Sequence, residues 1–392
     1  MRKSRSISVS ILYRKSVGKP ISGIDQQKFD AWYNESEKHR LYYKRFCVQQ
    51  EKIMARDCSV VDVERRLMEI KFKRRVKYRS NWWKLCGVAA TMLILFSIGW
   101  MYWTKNDVSC PVVVDAGLEK ASVTLRSGQG KRIVLDSTLV AQTIRQDCVA
   151  MRVGIGVLEY DRDSVAIGEL VYNQVDVPPS GEYMIVLSDG TKVYLNSASS
   201  LCYPTVFPPG ERRVKLSGEA YFVVAKGERP FIVDTPLEEV KVFGTEFNVM
   251  AYEDEEELQT TLVKGSVGVL AKGMEFIGFQ KIVPGEQFLL NRKTGKIEIV
   301  PVDVFPYVAW KDGLFVSQND NLETILRKMA RWFDVEIFYQ NPELKQKRFF
   351  GIMKRRACLQ EVLDVIAKAG DVHFEVNGRV VLVRDLKNES RN

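Results

Sequence analysis

The feature that most constrains this chain is an uncharged run of 19 residues from Leu85 to Trp103. As a helix, the run would extend about 28 Å, which is close to the hydrocarbon thickness of a bilayer. The aromatic rings that flank it are of the kind that lies at the lipid headgroups, and the tryptophans among them are Trp82, Trp83, Trp100 and Trp103. A buried core helix is the alternative, but it would rarely be apolar on every face. The run therefore predicts a transmembrane helix over 82–103, anchored by these four tryptophans.

Charge is distributed unevenly about this run. Of the 392 residues, 58 are basic and 49 are acidic, which gives a net charge of +9. Residues 1–84 contain 22 Lys or Arg and 9 Asp or Glu, so they carry +13 and the remainder carries −4. Basic residues concentrate on the cytoplasmic side of membrane spans. We therefore predict a single-pass inner-membrane protein with a cytoplasmic N-terminus and a periplasmic C-terminus. The basic excess then reflects topology before it reflects any nucleic-acid partner.

Cysteine and histidine patterns exclude several kinds of chemistry. The seven cysteines include no C-x-x-C pair, so neither zinc-ribbon nor thioredoxin-like spacing is present. The two histidines, His39 and His373, lie on opposite sides of the predicted span. A multi-histidine metal site and a Ser-His-Asp triad are therefore nearly excluded. We expect no catalytic, metal-ligating or cofactor-binding residues, and we predict that the chain is not an enzyme.

Residues 1–80 are predicted to form a small cytoplasmic all-α bundle. A turn at Ser22 leads into one helix, Ser36 marks a break before the next, and a last helix begins near Val60. Aromatic residues recur on these helices at helical spacing, namely Phe29, Trp32, Tyr42 and Phe46. They are either the core of the bundle or an apolar groove that binds a partner helix.

Beyond the span, apolar residues alternate with a period of two. The segments 123–137 and 185–197 both contain an apolar-x-Leu triplet, a glycine turn and a second apolar-x-Leu triplet, which is typical of a β-hairpin. Further short strands follow, many of them separated by Gly or Pro. The region 110–303 therefore predicts an antiparallel all-β domain, either a sandwich or a short β-solenoid. The five consecutive acidic residues at 253–257 favour a solvated loop over a carboxylate site.

The last part of the chain, 312–385, has a different pattern. Helical stripes over 322–332 and 359–366 alternate with short strand-like segments, in the order β-α-β-β-α-β-β. The dipeptide Asn377-Gly378 lies between the last two strands and is a strong hairpin signal. The sequence predicts a separate, compact α+β domain here.

Many short motifs of the β-rich region occur in one characteristic order. They include Leu187-Ser-Asp189-Gly190-Thr191, Leu195-Asn196, Gly218-Glu219-Ala220-Tyr221-Phe222, Gly244-Thr245-Glu246-Phe247-Asn248-Val249, Gly265-Ser266-Val267 and Pro284-Gly285-Glu286-Gln287. This series, over 184–287, resembles the FecR family of membrane-bound anti-sigma factors in the form typical of Bacteroidetes. Two further motifs resemble the C-terminal domain that usually follows FecR, namely Ala309-Trp310-Lys311-Asp312-Gly313 and Arg331-Trp332-Phe333-Asp334-Val335. That domain is similar to the short N-terminal domain of secretins and TonB-dependent receptors.

The resemblance implies a signalling role without catalysis. It implies that the cytoplasmic helices bind an extracytoplasmic-function sigma factor, for which Phe29, Trp32, Tyr42 and Phe46 are the candidate contact residues. It also implies that the periplasmic part senses the signalling domain of a TonB-dependent outer-membrane transducer. Regulatory proteases would then cleave the chain, and direct contact with nucleic acid is not expected.

Two other classes of protein share this organisation. A membrane-tethered DNA-binding transcriptional regulator would also place a basic helical domain inside and a sensor outside, and 60–79 is its candidate recognition helix. A membrane-anchored glycan-binding protein or enzyme is the second alternative. The lack of a convergent catalytic set argues against the enzyme. A salt-sensitive DNA footprint by residues 1–80 would favour the regulator.

Overall fold

A computed structural model describes residues 7–16, 18–37, 39–44, 46–47, 123–127, 132–135, 142–146, 149–160, 170–355 and 358–385. Within these ranges, no helix combines the length and the apolar character that a membrane crossing needs. The predicted span at 82–103, its four tryptophan anchors and the helix predicted near Val60 lie outside the described residues. These three features therefore stay predictions.

The described part of the N-terminal region includes two short helices, α1 (Val9–Ser16) and α2 (Gly23–Glu35). The hydroxyl of Ser22 caps α2, because it accepts a hydrogen bond of 3.2 Å from the Asp25 amide and so satisfies a free donor of the first turn. Extended backbone at Ser36 ends α2, and helical backbone resumes over 39–44. The predicted helix start at Ser22 and the predicted break at Ser36 are confirmed.

The central region is a large curled β-domain, with 18 strands among its described residues. In chain order they are β1 Thr124–Arg126, β2 Arg132–Val134, β3 Thr143–Gln146, β4 Val149–Gly154, β5 Val157–Tyr160, β6 Tyr172–Val177, β7 Tyr183–Val186, β8 Lys192–Leu195, β9 Ser199–Pro204, β10 Arg212–Val223, β11 Phe231–Asp234, β12 Glu238–Val242, β13 Glu246–Ala251, β14 Glu257–Lys264, β15 Val267–Ala271, β16 Gln280–Ile282, β17 Glu286–Asn291 and β18 Ile297–Pro301. The hairpins predicted from the repeated glycine turns are confirmed as β1–β2 and β7–β8.

Strand β10 belongs to two sheets and joins them. The first sheet has the order β2-β1-β6-β9-β10-β11-β12-β15-β16, and the second has the order β3-β4-β5-β7-β8-β10-β13-β14-β17-β18. Gly218 lies at the crossing with a φ of 92°, and a Cβ there would approach Ser199 atoms to 2.4–2.8 Å. Only glycine fits this backbone without strain. Side chains from the inner faces of both sheets, including Phe222, Phe231 and Phe288, form one fully buried core.

The expectation of a wholly antiparallel β-domain was wrong at two strand pairs. β10 runs parallel to β11, and β5 runs parallel to β7. At the first pair, the second half of β10 leaves for the other sheet, so the chain must return before Phe231 can align with Arg212. A return of this kind gives parallel pairing, whereas a tight turn gives antiparallel pairing. The glycine-turn patterns in the sequence predict only tight turns, and therefore only antiparallel pairs.

The C-terminal region folds as the predicted α+β unit. After a short helix α3 (Phe305–Val308), its elements are β19 Leu314–Asn321, α4 Leu322–Phe333, β20 Glu336–Tyr339, β21 Arg348–Lys354, α5 Leu359–Gly370, β22 Val372–Asn377 and β23 Val380–Asp385. This is the order β-α-β-β-α-β-β read from the sequence. The strands form two small sheets, β19–β21 and β20–β23–β22, and Gly378 makes the predicted hairpin turn with a φ of 59°.

Candidate functional site

A carboxylate lies at the junction of the β-domain and the C-terminal domain. Glu219, on β10, accepts a hydrogen bond of 2.8 Å from Asn196 Nδ2 and one of 2.9 Å from Asn248 Nδ2. Both asparagines are buried. Asn196 directly follows β8 and Asn248 lies on β13, and these two strands flank β10 in the second sheet. Desolvation by burial raises the pKa of Glu219, and the two amide hydrogen bonds act in the opposite direction.

Each asparagine also accepts a hydrogen bond from a tryptophan. Trp332 Nε1, on α4, donates to Asn196 Oδ1 at 3.2 Å, and Trp310 Nε1 donates to Asn248 Oδ1 at 3.1 Å. An ionised carboxylate only accepts and an indole N–H only donates, so an amide with one acceptor and one donor group is the side chain that can join them. The order carboxylate, amide, indole therefore fixes the orientation of both asparagine side chains. The network connects the β-domain to the C-terminal domain at two points.

An arginine closes one side of this junction. The Arg355 guanidinium donates to Ser197 Oγ at 2.6 Å, to the Gly181 carbonyl at 2.8 Å and to Glu182 Oε2 at 2.9 Å. Its central carbon also lies 4.8 Å from the centre of the Trp332 ring, in the geometry of a cation–π contact. Burial lowers the pKa of Arg355, and nearby carboxylates act in the opposite direction. One side chain of the C-terminal domain thus holds several polar groups of the β-domain.

The acidic run 253–257 provides a second junction contact, and the expectation of a solvated loop was wrong for part of it. Glu255, which is 8% exposed, lies 2.6 Å from Arg327 Nη1 and 2.8 Å from Arg331 Nη2. Asp254 Oδ1 is 2.7 Å from Arg331 Nη2, and the Arg331 guanidinium lies 3.8 Å from the Tyr252 ring centre. Residues four apart lie on one face of a helix, so the two arginines of α4 meet the acidic loop together.

The candidate sigma-binding residues lie together in the N-terminal region. Phe29, Trp32 and Phe46 are each 5–6% exposed, whereas Tyr42 is 38% exposed and lies edge-on to Trp32. This burial fits the core interpretation for three of the four residues and leaves only Tyr42 partly accessible. Contact with a sigma factor stays a prediction for all four.

These N-terminal helices pack on the C-terminal domain in this structure. Tyr13 of α1 stacks on Phe305 of α3 with 5.5 Å between the ring centres, and Tyr42 lies edge-on to Phe350. Val9 and Leu12 are buried in the same cluster as Ala309, Val316 and Ile352. A membrane crossing at 82–103 would put the two regions on opposite sides of the membrane. A single molecule therefore cannot have this packing and the predicted membrane topology at the same time.

In the described part of the chain, no group of three or more His, Cys, Asp or Glu is placed to hold a metal ion. The family motifs contain five residues of this junction for which no role was predicted, namely Asn196, Glu219, Asn248, Trp310 and Trp332. The clearest signal was the carboxylate of Glu219, which is followed by apolar residues in the motif Gly218-Glu219-Ala220-Tyr221-Phe222.

Comparison with known proteins identifies both regions of the junction. The FecR protein profile matches residues 173–268, and the profile of the FecR C-terminal domain matches residues 314–383. Two solved structures of a proposed anti-sigma factor from Parabacteroides distasonis ATCC 8503 align with this chain, each with 26% identity and a TM-score of 0.50. The alignments cover 54% and 55% of this chain, and 98% and 99% of those chains. Among curated protein sequences, none matches.

Proposed function

Because the chain belongs to the FecR family and carries the FecR C-terminal domain, we propose that it is an anti-sigma factor for an extracytoplasmic-function sigma factor. The observation that carries the proposal is the two family matches in series, joined by a contiguous polar junction. The alignment with the Parabacteroides distasonis protein supports it, since this chain covers nearly all of that one. A regulator of this kind works by binding and needs no catalytic group.

The proposed sigma-binding surface lies on α1, α2 and the helical residues that follow. Its accessible apolar side chains include Tyr42 and Ile24, and its flanking charges include Arg14 and Lys15 in the last turn of α1. An apolar helical face bordered by basic residues suits a partner helix that is apolar and acidic. A sigma factor held on this surface could not use the same contact face for RNA polymerase.

The proposal includes an inner-membrane topology with a cytoplasmic N-terminus and a periplasmic C-terminus. When the chain is inserted in the membrane in this way, Tyr13 and Phe305 lie on opposite sides of it. The two apolar faces that meet in this structure then each need another partner. We assign the face of α1 and α2 to the sigma factor. The face around Val316 and Ile352 would receive the signalling domain of a TonB-dependent outer-membrane transducer.

The thiol chemistry supports this topology. Cys358, in the C-terminal domain, is disulfide-bonded, whereas Cys47 in the N-terminal region is a free thiol. Disulfides persist in oxidising compartments such as the bacterial periplasm and are rare in the cytosol. The disulfide at Cys358 therefore supports a periplasmic C-terminal domain, and Cys202 of the β-domain is a free thiol like Cys47.

Within the proposed periplasmic part, the junction couples the C-terminal domain to the β-domain. A transducer bound to the C-terminal domain acts on the β-domain only through contacts such as Trp332–Asn196 and Arg327–Glu255. A binding event that favours one arrangement of this junction over another shifts the balance between them. We propose that the shift exposes the chain to regulatory proteases, which release the sigma-bound cytoplasmic segment.

The test is affinity capture from the native host with the full-length chain in detergent as bait. We expect a sigma factor of the extracytoplasmic-function class among the retained proteins, and we expect its loss when residues 1–80 are deleted from the bait. If intact bait retains no sigma factor, the proposal is wrong. Retention of DNA that is lost at high salt would instead favour the tethered DNA-binding regulator.

A further inference from the structure

An open groove of about 850 Å³ lies on the β-domain, away from the junction with the C-terminal domain. It is formed where β12 ends, where β14 turns into β15, and beside the short strand β16. The side chains that give it its character are Lys226, Lys241, Lys281, Phe243 and Phe279. We call this feature the lysine groove.

The strand register places two of these lysines side by side. Lys241 of β12 is opposite Gly268 of β15, and Gly268 is opposite Lys281 of β16. Residues directly opposite each other in a sheet point to the same face, so the two lysines flank a glycine on one face. With about 4.8 Å between neighbouring strands, their Cα atoms are about 10 Å apart. Gly268 has no side chain, and the Phe279 ring packs over it, beside the two lysines.

The charge of the groove is of one sign. No Asp or Glu is among the residues that line it. Within the described ranges, no ion pair is formed by Lys226, Lys241 or Lys281, although Lys241 Nζ lies 5.7 Å from the centre of the Phe279 ring. Three positive groups on concave walls attract an anionic ligand.

Apolar rings accompany the lysines. Phe243 is 51% exposed and Phe279 is 44% exposed, and a Cβ built on Gly268 would lie 3.4 Å from the Phe279 ring. Large rings that remain exposed beside one another mark binding surfaces more often than isolated exposed residues do. The ligand therefore needs apolar groups as well as negative charge.

The groove is bordered by a free sheet edge. Strand β16 pairs with β15 on one side, and on its other side it pairs with no strand in the described part of the chain. Its outward N–H and C=O groups can therefore accept an added strand. An added strand presents alternate side chains to one face, so the residue opposite Lys281 and the residue two positions away, beside Phe279, would both face the groove.

We propose that the lysine groove binds an extended acidic segment of a partner protein as an added strand on β16. A carboxylate opposite Lys281 would pair with its ammonium group, and an apolar side chain two positions away would pack on Phe279. Lys241, in the same cross-strand row as Lys281, would add to the positive charge of the groove. A peptide is favoured over an anionic polysaccharide because the site offers backbone hydrogen-bonding groups and apolar rings together with charge. The proposal concerns the β-domain alone and does not depend on the sigma-factor role.

The test uses the full-length chain in detergent and a fluorescent peptide of Glu-Thr-Val-Thr repeats, with binding followed by anisotropy. As a strand, this peptide alternates glutamate and valine on one face. We expect saturable binding, and the double variant Lys241→Glu/Lys281→Glu should weaken it about tenfold or more, because the contact at Lys281 becomes repulsive and the charge at position 241 changes sign. The variant Lys192→Glu/Lys215→Glu changes the net charge equally at exposed residues outside the groove and should leave binding unchanged. A peptide that alternates lysine and valine should bind the groove variant better than the parent chain.

Three results would overturn the proposal. A block peptide of the same composition could bind as well as the alternating one, which would show unspecific charge attraction. The two double variants could lose affinity equally, which would remove the groove as the site. Heparin could bind through Lys241 and Lys281 while the peptide does not, which would assign the groove to a glycan.

Discussion

Trp332 donates its indole N–H to the side-chain oxygen of Asn196, 136 positions earlier in the chain, at 3.2 Å. The contact joins the C-terminal domain to the β-domain, and the amide of the same asparagine continues to the Glu219 carboxylate. Because Trp310 and Asn248 repeat the arrangement on the other carboxylate oxygen, one acidic side chain supports two interdomain contacts. The stability of the junction therefore depends on the Glu219 carboxylate, although the two tryptophans are joined to it only through the asparagines.

The variant Glu219→Gln should weaken this junction. Glutamine has one acceptor oxygen and one donor nitrogen, so it satisfies only one of the two asparagine amides. If the other asparagine flips, its own N–H groups face the indole N–H, so one donor stays unpaired in any arrangement. An unpaired buried donor costs about 1–3 kcal/mol, and hydrogen–deuterium exchange of α4 in the full-length chain should accelerate accordingly. The exposed Glu228→Gln is the control, and equal exchange in both variants would contradict the network.

The variant Arg355→Lys should also loosen the junction although it conserves the charge. Arg355 donates to Ser197, Gly181 and Glu182 while its flat face lies on Trp332. Lysine has no planar fork and cannot reproduce this set, so we expect a loss of about 1–3 kcal/mol in the free energy of domain separation.

Limited proteolysis between the two domains measures that loss for Arg355→Lys. Arg348, whose guanidinium donates to the Asn319 carbonyl at an exposed position, gives the matched control Arg348→Lys. Unchanged cleavage in Arg355→Lys would show that charge alone holds the contact.

A buried acid makes the stability of the β-domain depend on pH. Glu238 on β12 is fully buried, its Oε1 accepts from Thr260 Oγ1 at 2.7 Å, and burial raises its pKa from 4.5 to about 7. A raised folded-state pKa means that both states are protonated below about pH 4.5, where stability is highest. As the pH rises toward 7, only the unfolded state releases its proton, and stability falls by about 3 kcal/mol, at about 1.4 kcal/mol per pKa unit.

The variant Glu238→Gln should remove this dependence. Denaturant unfolding between pH 5 and pH 8 should give a flatter curve for the variant than for the parent chain, with the variant more stable at pH 8. Glu256→Gln, at a position with 71% of its side chain exposed, should keep the parent's slope. A parent chain whose stability rises between pH 5 and pH 7 would contradict the assignment to Glu238.

The sequence predicted the C-terminal domain nearly element by element, and the reason is local. Apolar residues on α4 recur with the helical period, Asn321 caps its start through the Thr324 amide, and Asn377-Gly378 specifies the last turn. Each of these signals acts over a few residues, and a sequence displays such signals directly.

The interdomain junction could not be predicted in the same way. Its interdomain hydrogen bonds join residues 62 to 174 positions apart, and periodicity predicts which face is apolar without saying what covers it. The acidic run 253–257 resembled a solvated loop because its partners, Arg327 and Arg331, are far away in the sequence. The parallel β10–β11 pair was missed because it depends on the bend of β10 at Gly218.

The proposed topology predicts a clear difference in labelling between two exposed lysine positions. Lys19 lies in the N-terminal region, and Lys264 ends β14 with 79% of its side chain exposed. In sealed spheroplasts, a membrane-impermeant maleimide should modify Lys264→Cys and should modify Lys19→Cys only after permeabilisation. The parent chain, which carries only its native cysteines, gives the background labelling. Labelling of Lys19→Cys in sealed spheroplasts would refute the topology and leave the Tyr13–Phe305 packing as the native arrangement.

Two aromatic residues of the N-terminal helices should respond differently to truncation. Trp32 is 6% exposed and stacks on the His39 ring with 4.6 Å between centres, so Trp32→Ala should cost about 3–5 kcal/mol and reduce the helix content of this region. Tyr42 is 38% exposed, so Tyr42→Ala should keep the helix content, measured by circular dichroism, and should still weaken capture of the sigma factor. Leu41→Ala, at a position that is 50% exposed and adjacent, is the matched control for general loss of apolar surface. If Tyr42→Ala captures the sigma factor as well as the parent chain does, the sigma factor does not bind at the Tyr42 side of this helix pair.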